Sequence, residues 1–328
     1  MSVIYESSPS GLPLKKGTAV GLAACSDLLS LGQRGKIEEL KGYLRGLELE
    51  LVESPCLYGG ELPPDKAQGR GEKQRAAKLS GDTGIFSRTA GEKARALMDF
   101  YKDPSVGAIF DLSGGDLANE ILDFLDFDLI RANPKPLFGY SDVTAVLNAV
   151  SAVTGQETIL YQARNLVGRC AKEQQAAFAD TIVSGGDALF EVPVRFRQGN
   201  FMEGVLAGGN IRCLLKLAGT PYLPDFQGKL LFLEGRSGGP ARVAAHLAQL
   251  RQIGVFRKIS GLLLGTFTEL ELKKEGPELD RLVMRELDHA GIPVAYTPWV
   301  GHGPDSRALR IGARCRIKSP SAMGFSHS

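Results

Sequence analysis

The sequence predicts an α/β protein of two domains, the first built on a parallel sheet. Three observations carry this. The chain has 328 residues, and at about 150 residues per domain that length predicts two. In the first half, short apolar runs alternate with helical patterns, as in strands joined by crossover helices. After about residue 165 the character changes to short β-like runs separated by glycine-rich turns.

Thr18–Ala24 is an apolar run after Lys15-Lys16-Gly17 and reads as a buried parallel strand. A helical pattern from about Gln33 to Leu47 leads to a second strand at Leu49–Val52. Residues 57–75 carry Gly, Pro and charge without periodicity and read as a long surface loop, a candidate lid. Ala90–Tyr101 reads as a helix with Leu97, Met98 and Tyr101 on one face, stopped by Asp103-Pro104. A buried strand at Val106–Leu112, a turn at Ser113-Gly114-Gly115-Asp116 and a helix at Leu117–Leu125 follow. Pro136–Tyr140 is the next strand, and Val143–Val153 is an apolar helix entered through Ser141-Asp142. A helix at Lys172–Val183 then leads into the second half. Its β-like runs are Glu203–Ala207, Lys229–Glu234, Ser260–Thr266 and Ile292–Tyr296, with helices at Asn210–Ala218, Ala241–Ile253 and Glu278–Ala290. The tail Ala308–Ile317 has the pattern of a terminal hairpin turning at Gly312-Ala313.

Composition removes several function classes. Thirty-nine Lys+Arg against 37 Asp+Glu leave a formal charge of +2, so there is no electrostatic case for a nucleic-acid or membrane-surface partner. No run of 18 apolar residues predicts a membrane-spanning helix, and Met1–Ser10 has no signal-peptide pattern. The five cysteines, Cys25, Cys56, Cys170, Cys213 and Cys315, are scattered without C-x-x-C spacing. That argues against a zinc ribbon or a disulfide framework and for a cytoplasmic protein. No G-x-G-x-x-G follows the first strand, and Gly35-Lys36 is not a P-loop, because position 30 is Ser and position 37 is Ile. Four dispersed histidines offer no paired metal spacing. Neither a cofactor nor a metal is expected.

One constellation survives. In Phe138-Gly139-Tyr140-Ser141-Asp142-Val143-Thr144 an apolar strand runs into a turn and a helix starts at once. A serine there stands at the C-terminal edge of the sheet beside free helix N–H groups, as a nucleophile requires. The G-x-S-x-G signature is not met, since position 143 is Val, and an ordinary helix cap remains the plain alternative. A serine nucleophile needs a base. His246 reads as a packing or surface residue of its helix, His289 sits at a helix end, and His327 lies in the polar tail. His302, flanked by Gly301 and Gly303 in a loop after a strand, is the candidate. Glu234 ends a buried strand and can orient that imidazole. The alternatives are an ion pair with Arg236 or Arg242, or Glu269 as the orienting acid. The N–H groups of Gly115 and Asp142 can converge on an oxyanion. Arg164, Arg236 and Arg307 are candidates for holding a substrate carboxylate.

These residues resemble a known family. Arg95–Val150, carrying ALMDFYKDPSVGAIFDLSGGDLANEIL and IRANPKPLFGYSDVTAVL, is similar to the L,D-carboxypeptidases of serine peptidase family S66. LEG at Glu234, GTFTE at Glu269 and GHG at His302 follow in the family's order. The resemblance spans about residues 15 to 318 and implies a Ser141–Glu234–His302 triad with Gly115 and Asp142 as oxyanion donors. It also implies a Rossmann-like N-terminal domain, a smaller mixed α/β C-terminal domain and usually a homodimer. The domains are accordingly drawn at 1–165, carrying the nucleophile, and 201–328, carrying the Glu and His, with 166–200 as the linker region. Motion between the domains could then bring the triad together.

The activity implied is removal of terminal D-alanine from a murein tetrapeptide, a small muropeptide substrate, in cell-wall recycling. Two loops depart from that branch. Ser113-Gly114-Gly115-Asp116 stands where it usually has an Arg-Gly-Gly-Tyr type turn, and Ala23-Ala24-Cys25-Ser26 replaces its Pro-Ser-rich first loop. The first departure resembles the microcin C immunity hydrolases, which cleave the amide of peptidyl- or aminoacyl-adenylate analogues. The third alternative is a non-catalytic two-domain binding protein, in which Ser141 is a cap and Glu234 a structural acid. Geometry separates that last alternative from the enzymes.

Overall fold

The computed structural model describes residues 1–59, 88–287 and 291–319. The lid expected over 57–75 therefore lies outside them, apart from its first three residues, as do His289 and His327.

In chain order the strands are β1 (Ile4–Tyr5), β2 (Ala19–Ala23), β3 (Glu50–Glu53), β4 (Val106–Asp111), β5 (Leu137–Gly139) and β6 (Thr158–Leu160). They continue with β7 (Arg195–Gln198), β8 (Phe201–Asn210), β9 (Leu230–Gly235) and β10 (Gly261–Phe267). The last are β11 (Val294–Tyr296), β12 (Leu309–Ile311) and β13 (Arg314–Lys318).

Two sheets form. The first runs β12-β6-β5-β4-β2-β3. Its strands β6, β5, β4, β2 and β3 are parallel, and β12 closes the edge antiparallel to β6. β2, β4 and β5 are buried on both faces apart from Gly107, so they read as continuous apolar runs rather than alternating ones. One face packs Ile37, Leu40 and Leu44 of the helix Arg34–Gly46 and Phe178 and Ile182 of the helix Ala171–Ile182. The other face packs the helices Ala90–Lys102 and Thr144–Thr154. Thr89 and Glu92 form the capping box that starts the former. Because β2 lies between β3 and β4, the strand order reverses at the β2/β4 pair, which opens a crevice at the C-terminal ends of the strands.

The second sheet runs β1-β13-β8-β9-β10-β11-β7. Its centre, β8 to β11, is parallel, and the flanking strands are antiparallel. The stretch 166–200 holds the helix Ala171–Ile182 under the first sheet and the edge strand β7 of the second.

The expected terminal hairpin does not form. β12 pairs with β6 in the first sheet, while β13, two residues on, pairs with β8 in the second. The turn at Gly312-Ala313 is real, but it hands the chain from one sheet to the other. Alternation and a glycine turn specify two strands and a reversal; they do not specify which partner each strand finds.

Polar stitches join the sheets through the helix Thr144–Thr154. Buried Asn148 donates from Nδ2 to the Gly208 carbonyl and accepts from the Gly208 N–H, both at 2.8 Å. The Asn210 N–H donates to Thr144 Oγ1 at 3.1 Å. The helix that begins behind Ser141 is thereby tied to β8. Among the described residues, no helix is long and apolar enough to cross a membrane.

Candidate active site

The C-terminal ends of the parallel strands carry the expected residues. Ser141 follows β5 and opens a short 3-10 turn, Ser141–Val143, ahead of the helix Thr144–Thr154. Its φ is +54°, a left-handed conformation that costs a non-glycine residue roughly 1–2 kcal/mol. An ordinary helix cap has extended backbone, so the strained angle marks a turn built to present a side chain.

His302 lies in the loop between β11 and β12, and Glu234 is the penultimate residue of β9. His302 Nε2 is 3.1 Å from Ser141 Oγ, and Nδ1 is 2.7 Å from Glu234 Oε2. The triad stands assembled, with no domain closure required. Glu234 is fully buried, and its second oxygen accepts from Asn210 Nδ2 at 2.9 Å. Neither Arg236 nor Arg242 pairs with it. Glu269, the other candidate acid, accepts from the Gly238 N–H and from Lys273 Nζ instead.

The His302 loop is held on both sides. The buried Tyr140 ring meets the imidazole edge-on, with centroids 5.0 Å apart. Burial, and then the Glu234 charge, keep the Tyr140 phenol well above its ordinary value, so it stays neutral beside the triad. Gly301 brings the loop against β10: a Cβ there would lie 1.6 Å from Thr266 Oγ1.

Gly115 and Ser141 border the same part of the cleft. Gly115 has φ +130°, and a Cβ there would come within 2.1 Å of the Asp27 carboxylate. No acceptor among the described residues takes its N–H. Asp142 is the second residue of the turn after β5, where helical N–H groups have no intrahelical acceptor. Its buried side chain accepts from Ser26 Oγ at 2.6 Å, from the Ala118 N–H at 2.8 Å and from Lys216 Nζ. Arg212 binds the Gly115 carbonyl at 2.9 Å and pairs with Asp116. Cations of the second half thus brace the turns at Ser113–Asp116 and Ser141–Val143 in the first. Asp27 is pushed above the usual carboxylate range by partial burial and then by the Asp142 charge.

A cleft of two lobes surrounds the triad. The larger, about 570 Å³, is lined by Tyr140, Gln162, Asn165, Arg236 and His302, with Leu272 at its edge. The smaller, about 280 Å³, is lined by Gly115, Ser141, Asn210, Arg212, Arg236 and His246. His246, half-buried on its helix, lines this smaller lobe. It shares that lobe with Ser141, and one amphipathic period cannot separate a core face from a cleft face. Burial, then Arg242 and Arg212, lower its pKa below the ordinary histidine value. Arg307 is spent on the Ala188 carbonyl and the Trp299 face, whereas Arg236 lines both lobes and Arg164 lies against Gly114.

Asn210 and Tyr140 were not singled out by the sequence. Asn210 had a signal, an Asn after two glycines and ahead of a helical run, and it does cap the helix Ile211–Leu215. Tyr140 had none beyond its place before Ser141.

Residues 20–161 match the family described as the LD-carboxypeptidase N-terminal domain, Peptidase S66, and residues 203–317 match its C-terminal domain. The chain is 26% identical to the microcin C7 self-immunity protein MccF of Escherichia coli over 76% of this chain and 82% of that protein. It is 28% identical to the murein tetrapeptide carboxypeptidase of Pseudomonas aeruginosa over 68% of this chain and 76% of that protein. A solved structure of MccF in complex with glutamyl sulfamoyl guanosine shares the fold, with a TM-score of 0.75 at 20% identity over 94% of this chain and 98% of that one.

Proposed function

This chain belongs to the S66 LD-carboxypeptidase family of hydrolases, and on that premise we propose that it is a serine carboxypeptidase releasing terminal D-alanine from a murein tetrapeptide by cleaving an L,D-peptide bond. One observation carries the reading: the unbroken chain from Glu234 through His302 to Ser141, with links of 2.7 and 3.1 Å. A binding protein has no use for a strained serine in contact with an acid-oriented imidazole.

In the proposed reaction Ser141 Oγ attacks the scissile carbonyl while His302 Nε2 takes its proton. Glu234 holds Nδ1–H and stabilises the imidazolium. The Gly115 and Asp142 N–H groups receive the oxyanion. His302 then protonates the departing amine, and water repeats the sequence on the acyl-serine, regenerating Ser141 and releasing the tripeptide acid. The proposed setting is a cytoplasm, where the five unpaired cysteines stay reduced, and the proposed assembly is the homodimer that the family resemblance implies.

A second reading has its own support. The Ser113–Asp116 turn departs from the murein-recycling pattern, and a lobe of about 570 Å³ has room for a nucleoside. In that reading the same triad cleaves the amide of an acyl-adenylate analogue. A substrate panel followed by mass spectrometry separates the two. D-Alanine released from a murein tetrapeptide, and lost in Ser141→Ala, supports the first reading. Cleavage of acyl-sulfamoyl adenylates with the tetrapeptide untouched overturns it in favour of the second.

A further inference from the structure

Two guanidinium groups near the triad form no ion pair among the described residues. Arg236, in the loop after β9, borders both lobes of the cleft, and its side chain makes no hydrogen bond or ion pair among the described residues. Arg164, in the turn Ala163–Val167 after β6, is half-buried. Among the described residues its one side-chain hydrogen bond runs from Nε to Gln162 Oε1 at 3.3 Å, and none of their carboxylates forms an ion pair with it. Its Nη2 is 4.0 Å from where a Cβ on Gly114 would stand, so the guanidinium lies against the oxyanion turn. Burial, opposed by Asp111 and reinforced by the Arg236 charge, weakens its hold on its proton.

Neighbouring cations are already committed. Arg212 holds Asp116 and the Gly115 carbonyl, Lys216 holds Asp142, and Lys273 holds Glu269. Like charges brought together with one half-desolvated are unfavourable until an anion joins them.

The proposed chemistry says where that anion comes from. The departing amine must stand at His302 Nε2 to receive its proton. In a C-terminal residue the free carboxylate carbon is about 2.5 Å from that nitrogen, one Cα away. Arg236 lines the same lobe as His302, and so do Gln162 and Asn165, the residues on either side of Ala163-Arg164. We propose that Arg236 and Arg164 form the clamp for the free carboxylate of the departing residue. The proposal rests on the carboxypeptidase reading and adds the residues that would make the enzyme an exopeptidase.

The test compares a murein tetrapeptide ending in free D-alanine with its C-terminal amide, in wild type, Arg236→Met, Arg164→Met and Arg236→Lys. Wild type is expected to prefer the acid strongly. Each Met variant should lower kcat/KM on the acid about 30-fold or more, chiefly through KM, and the acid-to-amide preference should collapse by a similar factor. Arg236→Lys should recover part of the preference, keeping the charge but losing the two-pronged geometry. Because Arg236 is exposed, its variants test the idea even if Arg164→Met fails to fold.

A wild type that cleaves acid and amide equally overturns the clamp, as do Met variants that retain the acid preference. Equal losses on acid and amide also overturn it, because they point to the oxyanion or to structure. A wild type that cleaves neither peptide overturns the carboxypeptidase reading and the clamp with it.

Discussion

Glu234→Gln isolates what the buried acid does for His302, the proposed base. The substitution keeps size and shape and removes only the charge. Asn210 decides how the new amide must lie. Asn210 Nδ2 donates to Glu234 Oε1 at 2.9 Å, and Asn210 Oδ1 is engaged by the Cys213 N–H. The Gln carbonyl therefore faces Asn210, and its NH2 faces His302 Nδ1. Donation to Nδ1 leaves the proton on Nε2, the tautomer that cannot accept from Ser141. The lost attraction adds to this. At an effective dielectric of about 20 and a charge separation of about 4 Å, carboxylate and imidazolium attract by about 4 kcal/mol, worth about 10³ in rate. With the tautomer effect included, kcat should fall about 10³- to 10⁴-fold. Stability should hold, because a neutral amide costs less to bury than a carboxylate. The assay is hydrolysis at saturating substrate, with thermal unfolding run in parallel. A folded Glu234→Gln enzyme within tenfold of the wild-type kcat would refute the orienting role.

Three further outcomes follow from the geometry. Ser141→Gly and Ser141→Ala should both be inactive, but Gly should be the more stable by about 1 kcal/mol, since only Gly adopts φ +54° without strain; equal denaturation midpoints would show that the turn relaxes. Asn148→Ala leaves the buried Gly208 N–H and carbonyl without partners and should cost about 2–5 kcal/mol in denaturant unfolding; a loss below about 0.5 kcal/mol would mean that water replaces the stitch. Asp27 has a folded-state pKa raised above its unfolded value, so ionising it disfavours the fold. Asp27→Asn should therefore stabilise the protein at neutral pH by less than about 1 kcal/mol after solvent screening. The gain should vanish in acid, below the unfolded pKa, where both states of the wild type are protonated. A gain that persists there would assign the effect to packing.

Sequence punctuation located what is local. A strand running into a turn marked Ser141, elimination among four histidines left His302, and a buried strand ending in an acid marked Glu234. Each signal comes from neighbouring residues, because chain direction and burial place strand ends at a sheet edge. What escaped is set by partners far along the chain. Asn210 matters because β8 pairs beside β9, so that Asn210 and Glu234 lie in register. His246 lines the same lobe as Ser141, a placement that no period within Ala241–Leu250 reveals.

The tail carries this furthest. With β12 in one sheet and β13 in the other, the loop bearing His302 enters from β11 of the second sheet and leaves into β12 of the first. His302 is thereby strung between the sheet that holds Ser141 and the sheet that holds Glu234. Near its middle, Asn165 Nδ2 donates to the Gly303 carbonyl at 3.3 Å and Ser306 Oγ accepts from the Gly301 N–H at 3.2 Å. A hairpin would have left His302 on a loop of the second sheet alone, free to move with it relative to Ser141. Antiparallel closure of the first sheet by β12 removes that freedom, which is why a 3.1 Å contact can stand between residues 161 positions apart without a closing motion.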